Sequence, residues 1–202
     1  MASFNCRPIG KSFLQASKQL FSDGKRRHCF SRSEALAWNP KKIMAFTHLD
    51  KQGRPTMVDV GAKPLTERIA IARATVSLPP EVAKKLSKGD ISTPKGAVFS
   101  TAVLAGIQAA KRTPELIPLC HMVPLDDVSV EIKPKDDGRQ LVIDCRAKAT
   151  HKTGVEMEAM TGASIAALTI YDMTKALSRD VVIEEVRLMD KKGGKSDFKQ
   201  KT

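Results

Sequence analysis

The stretch Val128–Ala149, VSVEIKPKDDGRQLVIDCRAKA, decides the fold class. Its arms, Val128–Lys133 and Leu141–Ala149, place apolar residues at every second position, the period of a strand with one face on a core. Between them, Lys135-Asp136-Asp137-Gly138 carries the Asp-Gly pair of a tight hairpin. The hairpin runs into Lys152–Leu177, KTGVEMEAMTGASIAALTIYDMTKAL, which has no charge from Ala159 to Tyr171. A run that long and apolar reads as a helix packed on most sides.

Outward from this core the pattern continues. Thr56–Lys63 and Ile69–Leu78 alternate like strands, and Val181–Met189 reads as a last strand before a Gly-rich tail, Lys191–Lys195. Pro79-Pro80 opens a short helix to Lys88, stopped by Gly89. Lys95–Arg112 is a longer, Ala-rich helix, followed by a loop with Pro114, Pro118 and Pro124. Strands on both sides of helices, with one clear hairpin, predict an α+β fold: a mainly antiparallel sheet with helices on one face. No internal repeat is present, and residues 46–202 read as one domain.

Charge is uneven along the 202 residues. Of the formal +12, residues 1–42 hold a surplus of seven, from nine Lys/Arg against Asp23 and Glu34. That segment is Ser-rich and lacks an apolar signal core, and Ile9–Phe21 interleaves Phe13, Leu14, Leu20 and Phe21 with Lys11 and Lys18. We expect 1–45 to be a basic extension that acts as a mitochondrial presequence, addressed to the matrix. The four cysteines, Cys6, Cys29, Cys120 and Cys145, show neither CxxC nor zinc-ligand spacing. The sequence carries no metal motif, no GxGxxG, no Walker pattern and no membrane-length apolar run. The high charge also suits a nucleic-acid-binding module, but most of the surplus lies in the extension and aromatics are only 4%, too sparse for base stacking.

Candidate chemistry sits in four places. Lys63, Arg68 and Arg73 lie in or after the first strands. Lys95-Gly96 is expected to open the long helix, where free N–H groups suit an anion. Leu119-Cys120-His121 falls in the Pro-rich loop. Glu156-Met157-Glu158 leads into the last helix, one side of which continues through Thr161, Ser164, Leu168, Asp172 and Lys175. Asp172 and Lys175, three apart, can hold each other charged. Taken singly, each has a plain reading: solvated cations, a loop histidine, carboxylates on a helix dipole, a buried structural ion pair.

Four strings together change that weighting. THLDKQGRPTMVDVGAKP from Thr47, AGIQAAKRTPELIPLCH from Ala105, TGVEMEAMTGASIAALTIYDMTKA from Thr153 and VRLMDKKGGKS from Val186 closely resemble the molybdenum-cofactor biosynthesis protein C family, the cyclic pyranopterin monophosphate synthases. The likeness covers roughly residues 46–198 in order. It implies a ferredoxin-like α+β fold and a lyase without a cofactor or bound metal. Such an enzyme would convert (8S)-3′,8-cyclo-7,8-dihydroguanosine 5′-triphosphate, supplied by a radical-SAM GTP cyclase, to cyclic pyranopterin monophosphate and pyrophosphate. It implies Asp172 and Lys175 as the acid/base pair. Leu119, Cys120, His121, Glu156, Met157 and Glu158 would bind the base and ribose. Lys95, Arg68 and Lys191 would bind phosphates, with Lys63, Lys111 and Arg112 as weaker candidates. It further implies a homohexamer, a trimer of dimers with active sites at the dimer interface, and no nucleic-acid or membrane partner. The sequence departs from the family at three places: Ala97 for an acid after Lys-Gly, Thr174 for a cysteine, and Met122 for a proline. A non-catalytic scaffold with the same fold is the remaining alternative.

Overall fold

In the computed structural model, which describes residues 52–87 and 89–201, five strands form an antiparallel sheet. The presequence expected in 1–45, with its interleaved stretch Ile9–Phe21, lies outside the described residues. The sheet order is β5 (Asp127–Lys135), β6 (Gln140–His151), β1 (Thr66–Ser77), β7 (Val182–Lys192), β8 (Phe198–Lys199). Two long helices, α2 (Val98–Lys111) and α4 (Glu156–Thr174), pack on one face of it. Without β8, the chain runs β1-α2-β5-β6-α4-β7, the βαββαβ order of a ferredoxin-like fold. The expected α+β class holds.

Alternation explains which face is covered. On β1, Ala70, Ala72, Ala74 and Val76 are buried under the helices, while Ile69, Ile71 and Arg73 point to the open face. There Arg73 makes a two-pronged ion pair with Asp144 on β6, at 2.7 and 2.8 Å. Arg73 thus serves the sheet, not a site. Alanines on β1 and β6 let α4 come close. A Cβ at Gly162 of α4 would sit 2.5 Å from Cys145 Sγ, and one at Gly106 of α2 would sit 2.9 Å from the Gly162 carbonyl oxygen. These two glycines set the approach of both helices to each other and to the sheet. Around them Ile91, Leu141, Ile143 and Ile170 are fully buried, each stabilising the fold by about 1.5–3 kcal/mol.

The hairpin forms where it was expected. Asp136, Asp137 and Gly138 turn the chain with φ of 52, 55 and 84°, a left-handed run that Asp and Gly tolerate best. Other expectations need correction. Thr56–Lys63 is not a strand: bracketed by Pro55 and Pro64, it runs as an irregular segment along the loop side. The short helix α1 spans only Pro80–Ala83, and the chain then forms β2 (Leu86–Ser87), β3 (Asp90–Thr93) and β4 (Gly96–Ala97), a second small sheet. Strands of two to four residues leave no readable period. A short helix α3 (Thr113–Leu116) also interrupts the Pro-rich loop. No helix among the described residues is long and apolar enough to cross a membrane.

Candidate active site

Lys95 does not open α2. It lies in the turn between β3 and β4, and the helix begins at Val98. Two of the free N–H groups there are already taken: Asp90 accepts from Phe99 N at 2.7 Å and from Ser100 N at 3.2 Å, and also from Ser100 Oγ at 3.2 Å. A carboxylate from β3 thus does the work of a capping residue, in the absence of any side-chain cap at Ala97.

Lys95 instead reaches the C-terminal end of α4. Its Nζ donates to Asp172 Oδ2 at 3.0 Å and to the Asp172 carbonyl at 3.2 Å. Lys175 Nζ meets the other oxygen, Oδ1, at 2.6 Å. All three side chains are about half exposed, so the C-terminal part of the stripe expected to be buried, Leu168, Asp172 and Lys175, faces outward, while Thr161 is buried. Lys175, and after it Lys95, hold the Asp172 carboxyl below the usual carboxylate range. Asp172 in turn raises the Lys175 ammonium. The result is an exposed carboxylate gripped by two lysines, with one positive charge in surplus.

A second group gathers at the opposite end of α4. Leu119, Cys120 and His121 from the Pro-rich loop and Glu156, Met157 and Glu158 from the first turn of α4 line one cavity of about 990 Å³. Segment 58–63 forms its other wall, fixed by His121, whose Nε2 lies 2.8 Å from the Val58 carbonyl. A carbonyl can only accept, so Nε2 carries the proton, and a neutral His121 keeps Nδ1 as an acceptor. Glu158 is 2% exposed, and neither of its oxygens accepts a hydrogen bond. Burial pushes its carboxyl up to about 7; its own main-chain N–H opposes the rise, and the charge of Glu156 adds to it. Burial and then the charge of Glu158 raise the Cys120 thiol, which keeps it neutral.

This cavity continues into a smaller one of about 400 Å³ through the shared residues Lys63, Thr153, Gly154, Glu156 and Lys195. Arg68 and Lys191, far apart in sequence, meet here because β1 pairs with β7, Ala70 opposite Lys191. Arg68 is 8% exposed and donates to the carbonyls of His151 at 3.1 Å and Lys152 at 3.3 Å. No carboxylate among the described residues pairs with it, so a nearly buried guanidinium is left seeking an anion. Lys191 is partly spoken for, 3.2 Å from Glu156. The turn above is tight: a Cβ on Gly193, φ 83°, would lie 1.8 Å from the Glu67 carbonyl. Lys152 and Lys195 also line the groove and were not among the expected phosphate contacts; the pattern Lys191-Lys192-Gly193-Gly194-Lys195 was the available signal for the second. Lys111 and Arg112, at the end of α2, line neither cavity.

The structure therefore sorts the expected residues into two sites on one chain. Nine of them (Lys63, Arg68, Leu119, Cys120, His121, Glu156, Met157, Glu158 and Lys191) form a groove with an acidic, apolar end and a cationic end. Asp172, Lys175 and Lys95 stand apart, about 20 Å away along α4 at 1.5 Å per residue.

Comparison with known proteins converges on one group. The sequence model of the MoaC family matches residues 57–194. A protein of Pelotomaculum thermopropionicum named cyclic pyranopterin monophosphate synthase is 50% identical over 154 residues, 76% of this chain and 89% of its own. Proteins of the same name from Thermomicrobium roseum and Xanthomonas oryzae pv. oryzae are 48% and 50% identical, over 74% and 75% of this chain and 89% and 92% of theirs.

Proposed function

Since this chain belongs to the MoaC family and is an enzyme of molybdenum cofactor biosynthesis, we propose that it turns (8S)-3′,8-cyclo-7,8-dihydroguanosine 5′-triphosphate into cyclic pyranopterin monophosphate with release of pyrophosphate. The observation that carries this reading is the two-ended groove. A nucleotide has an apolar ring with polar edges at one end and phosphates at the other. The groove offers Met157, Leu119 and the Glu158 carboxylate at one end and Arg68, Lys191, Lys63 and Lys195 at the other.

In this scheme the ring lies between the Leu119–His121 loop and the first turn of α4, with its N–H donors on Glu158 and Glu156. The triphosphate lies toward Arg68, whose guanidinium gains the anion it lacks. Fixing both ends orients the ribose and the α-phosphate between them. Opening the purine-derived ring and closing the cyclic phosphate then require protons to be moved at that middle point. Asp172, held ionised by Lys175 and Lys95, accepts a proton, and a lysine delivers one or stabilises developing negative charge.

A proton transfer needs contact, and within one chain Asp172 is about 20 Å from the groove. We therefore assign the catalytic trio of one subunit to the groove of another, in a dimer that assembles further into a hexamer. Support comes from the outer side of the helix pair, where Leu104 and Leu168 are 68% and 52% exposed and α4 carries no charge between Ala159 and Tyr171. Two α4 helices laid antiparallel about Ile165 bring each Asp172 level with the other's Glu158. Lys95 then belongs to the trio and meets the substrate from across the interface. Upstream, a radical-SAM GTP cyclase supplies the substrate, and residues 1–45 direct the chain to the mitochondrial matrix.

The test is direct. Purified protein mixed with the cyclised GTP should release pyrophosphate and a pterin-like product, and a folded oligomer without turnover removes the assignment. Fusing residues 1–42 to a fluorescent reporter tests the address; a diffuse cytosolic signal refutes it.

A further inference from the structure

Glu158 is the one described residue whose buried side-chain oxygens have no partner. It sits at the cavity wall, in the first turn of a helix whose N-terminus favours negative charge. The titratable groups around that cavity are Glu156 on α4, Cys120 and His121 on the Pro-rich loop, Asp59 and Lys63 on segment 58–63, and Lys195 after β7. None of the cations closes an ion pair with Glu158, while Glu156 repels its charge. An ionised carboxylate in that position is costly until something donates to it.

Resting on the substrate assignment above, and deepening it, we propose that Glu158 meets the ligand as a neutral acid and ionises as it closes on two adjacent N–H donors of a guanine-type edge, so that binding expels a proton. The proton passes from the Glu158 carboxyl to solvent buffer, and the two oxygens thus bared each accept one bond, from the ring N–H and from the exocyclic amine. Charge-assisted bonds of this kind are roughly twice as strong as neutral ones, which favours ionisation once both donors are in place. The raised carboxyl, at about 7, means that the free protein holds this proton at mildly acidic pH. A guanine edge presents the donor pair; an adenine edge presents one donor beside an acceptor and leaves one oxygen bare. Glu158 thereby sets base specificity and couples it to pH. The competing geometry, in which Glu158 stays protonated and donates to the ring carbonyl, expels nothing.

The experiment is calorimetric titration of the wild-type protein with GTP and with ATP, at pH 6, in buffers of different ionisation enthalpy. Both nucleotides release phosphate protons to buffer as they pair with the cationic end, so the difference between them reports Glu158. GTP should expel about one proton more per site than ATP, and Glu158→Gln should abolish that difference. Independently of any variant, the ratio of GTP to ATP affinity should rise toward about tenfold per pH unit below 7 and level off above it. Equal proton counts for the two nucleotides, a flat ratio, or a difference retained in Glu158→Gln overturns the inference. Turnover of the cyclised substrate by the same preparation separates the two readings. Turnover without a proton difference removes only this one; no turnover removes the assigned reaction.

Discussion

If one subunit's Asp172 serves another's groove, two inactive proteins should restore each other. Asp172→Asn destroys the acid/base end and leaves the groove intact; Glu158→Ala destroys the groove and leaves Asp172 intact. Fourteen residues of α4 separate the two positions, about 21 Å, and proton transfer requires a separation of about 2.6–3.2 Å. In a two-fold dimer of one subunit of each kind, one site combines both defects and the other combines neither. Random exchange of equal amounts makes half the dimers mixed, so about one quarter of all sites should be intact. The assay is product formation from cyclised GTP after co-expression of differently tagged variants, with the mixed oligomer purified through both tags and its composition checked by mass spectrometry. In a hexamer this purification discards only the uniform assemblies, so the recovered activity should stay at about one quarter of wild type per site. Mixed oligomers no more active than the parents would show that the trio and the groove act within one chain, and the trans arrangement would fall.

Three further outcomes follow from the geometry. Lys95→Ala removes one of the two cations that hold Asp172 low, so the acid limb of the kcat/KM profile should move to higher pH; an unmoved limb would place Lys95 outside the trio. Glu158 protonates at about 7 in the fold against 4.5 in water, so the folded state binds more protons between these values and stability falls as pH rises from about 4.5 to about 7. Glu158→Gln cannot ionise and should be the more stable protein at pH 8, by about 3 kcal/mol, with the gap closing by pH 4 in urea melts; a constant gap would mean the carboxyl titrates normally. Gly162→Ala forces a methyl to 2.5 Å from Cys145 Sγ and should cost about 1–3 kcal/mol, read as a lower melting temperature, whereas an unchanged value would show that α4 can lift from the sheet freely.

What could be read from the chain depended on how far each signal is local. The hairpin and α4 were legible because Asp-Gly turns and long uncharged helices announce themselves within a dozen residues. Alternation misled at Thr56–Lys63, where prolines stand on both sides and no strand of the two described sheets pairs with it. Asp172 looked buried because its helix is apolar, yet small residues such as Ala163, Gly162 and Ala166 serve one crowded crossing while Leu168 and Asp172 face out. The cationic end of the groove depends on the register of β1 against β7, which no local pattern encodes. Lys95 was assigned to an anion site at a helix start because Lys-Gly precedes a helical run; Asp90, five residues before Lys95, occupies that start instead.

The α4 helix is also a ruler. Its two ends carry the parts that must meet across the proposed interface, and everything between them is uncharged, with one side packed against α2 and the sheet. Inserting a single residue near Ile165 would turn one end about 100° relative to the other and lengthen the gap by about 1.5 Å. Every side chain that touches substrate would still be present, and none would be in phase with its counterpart. The segment 159–171 can thus exchange one small residue for another far more readily than it can change length.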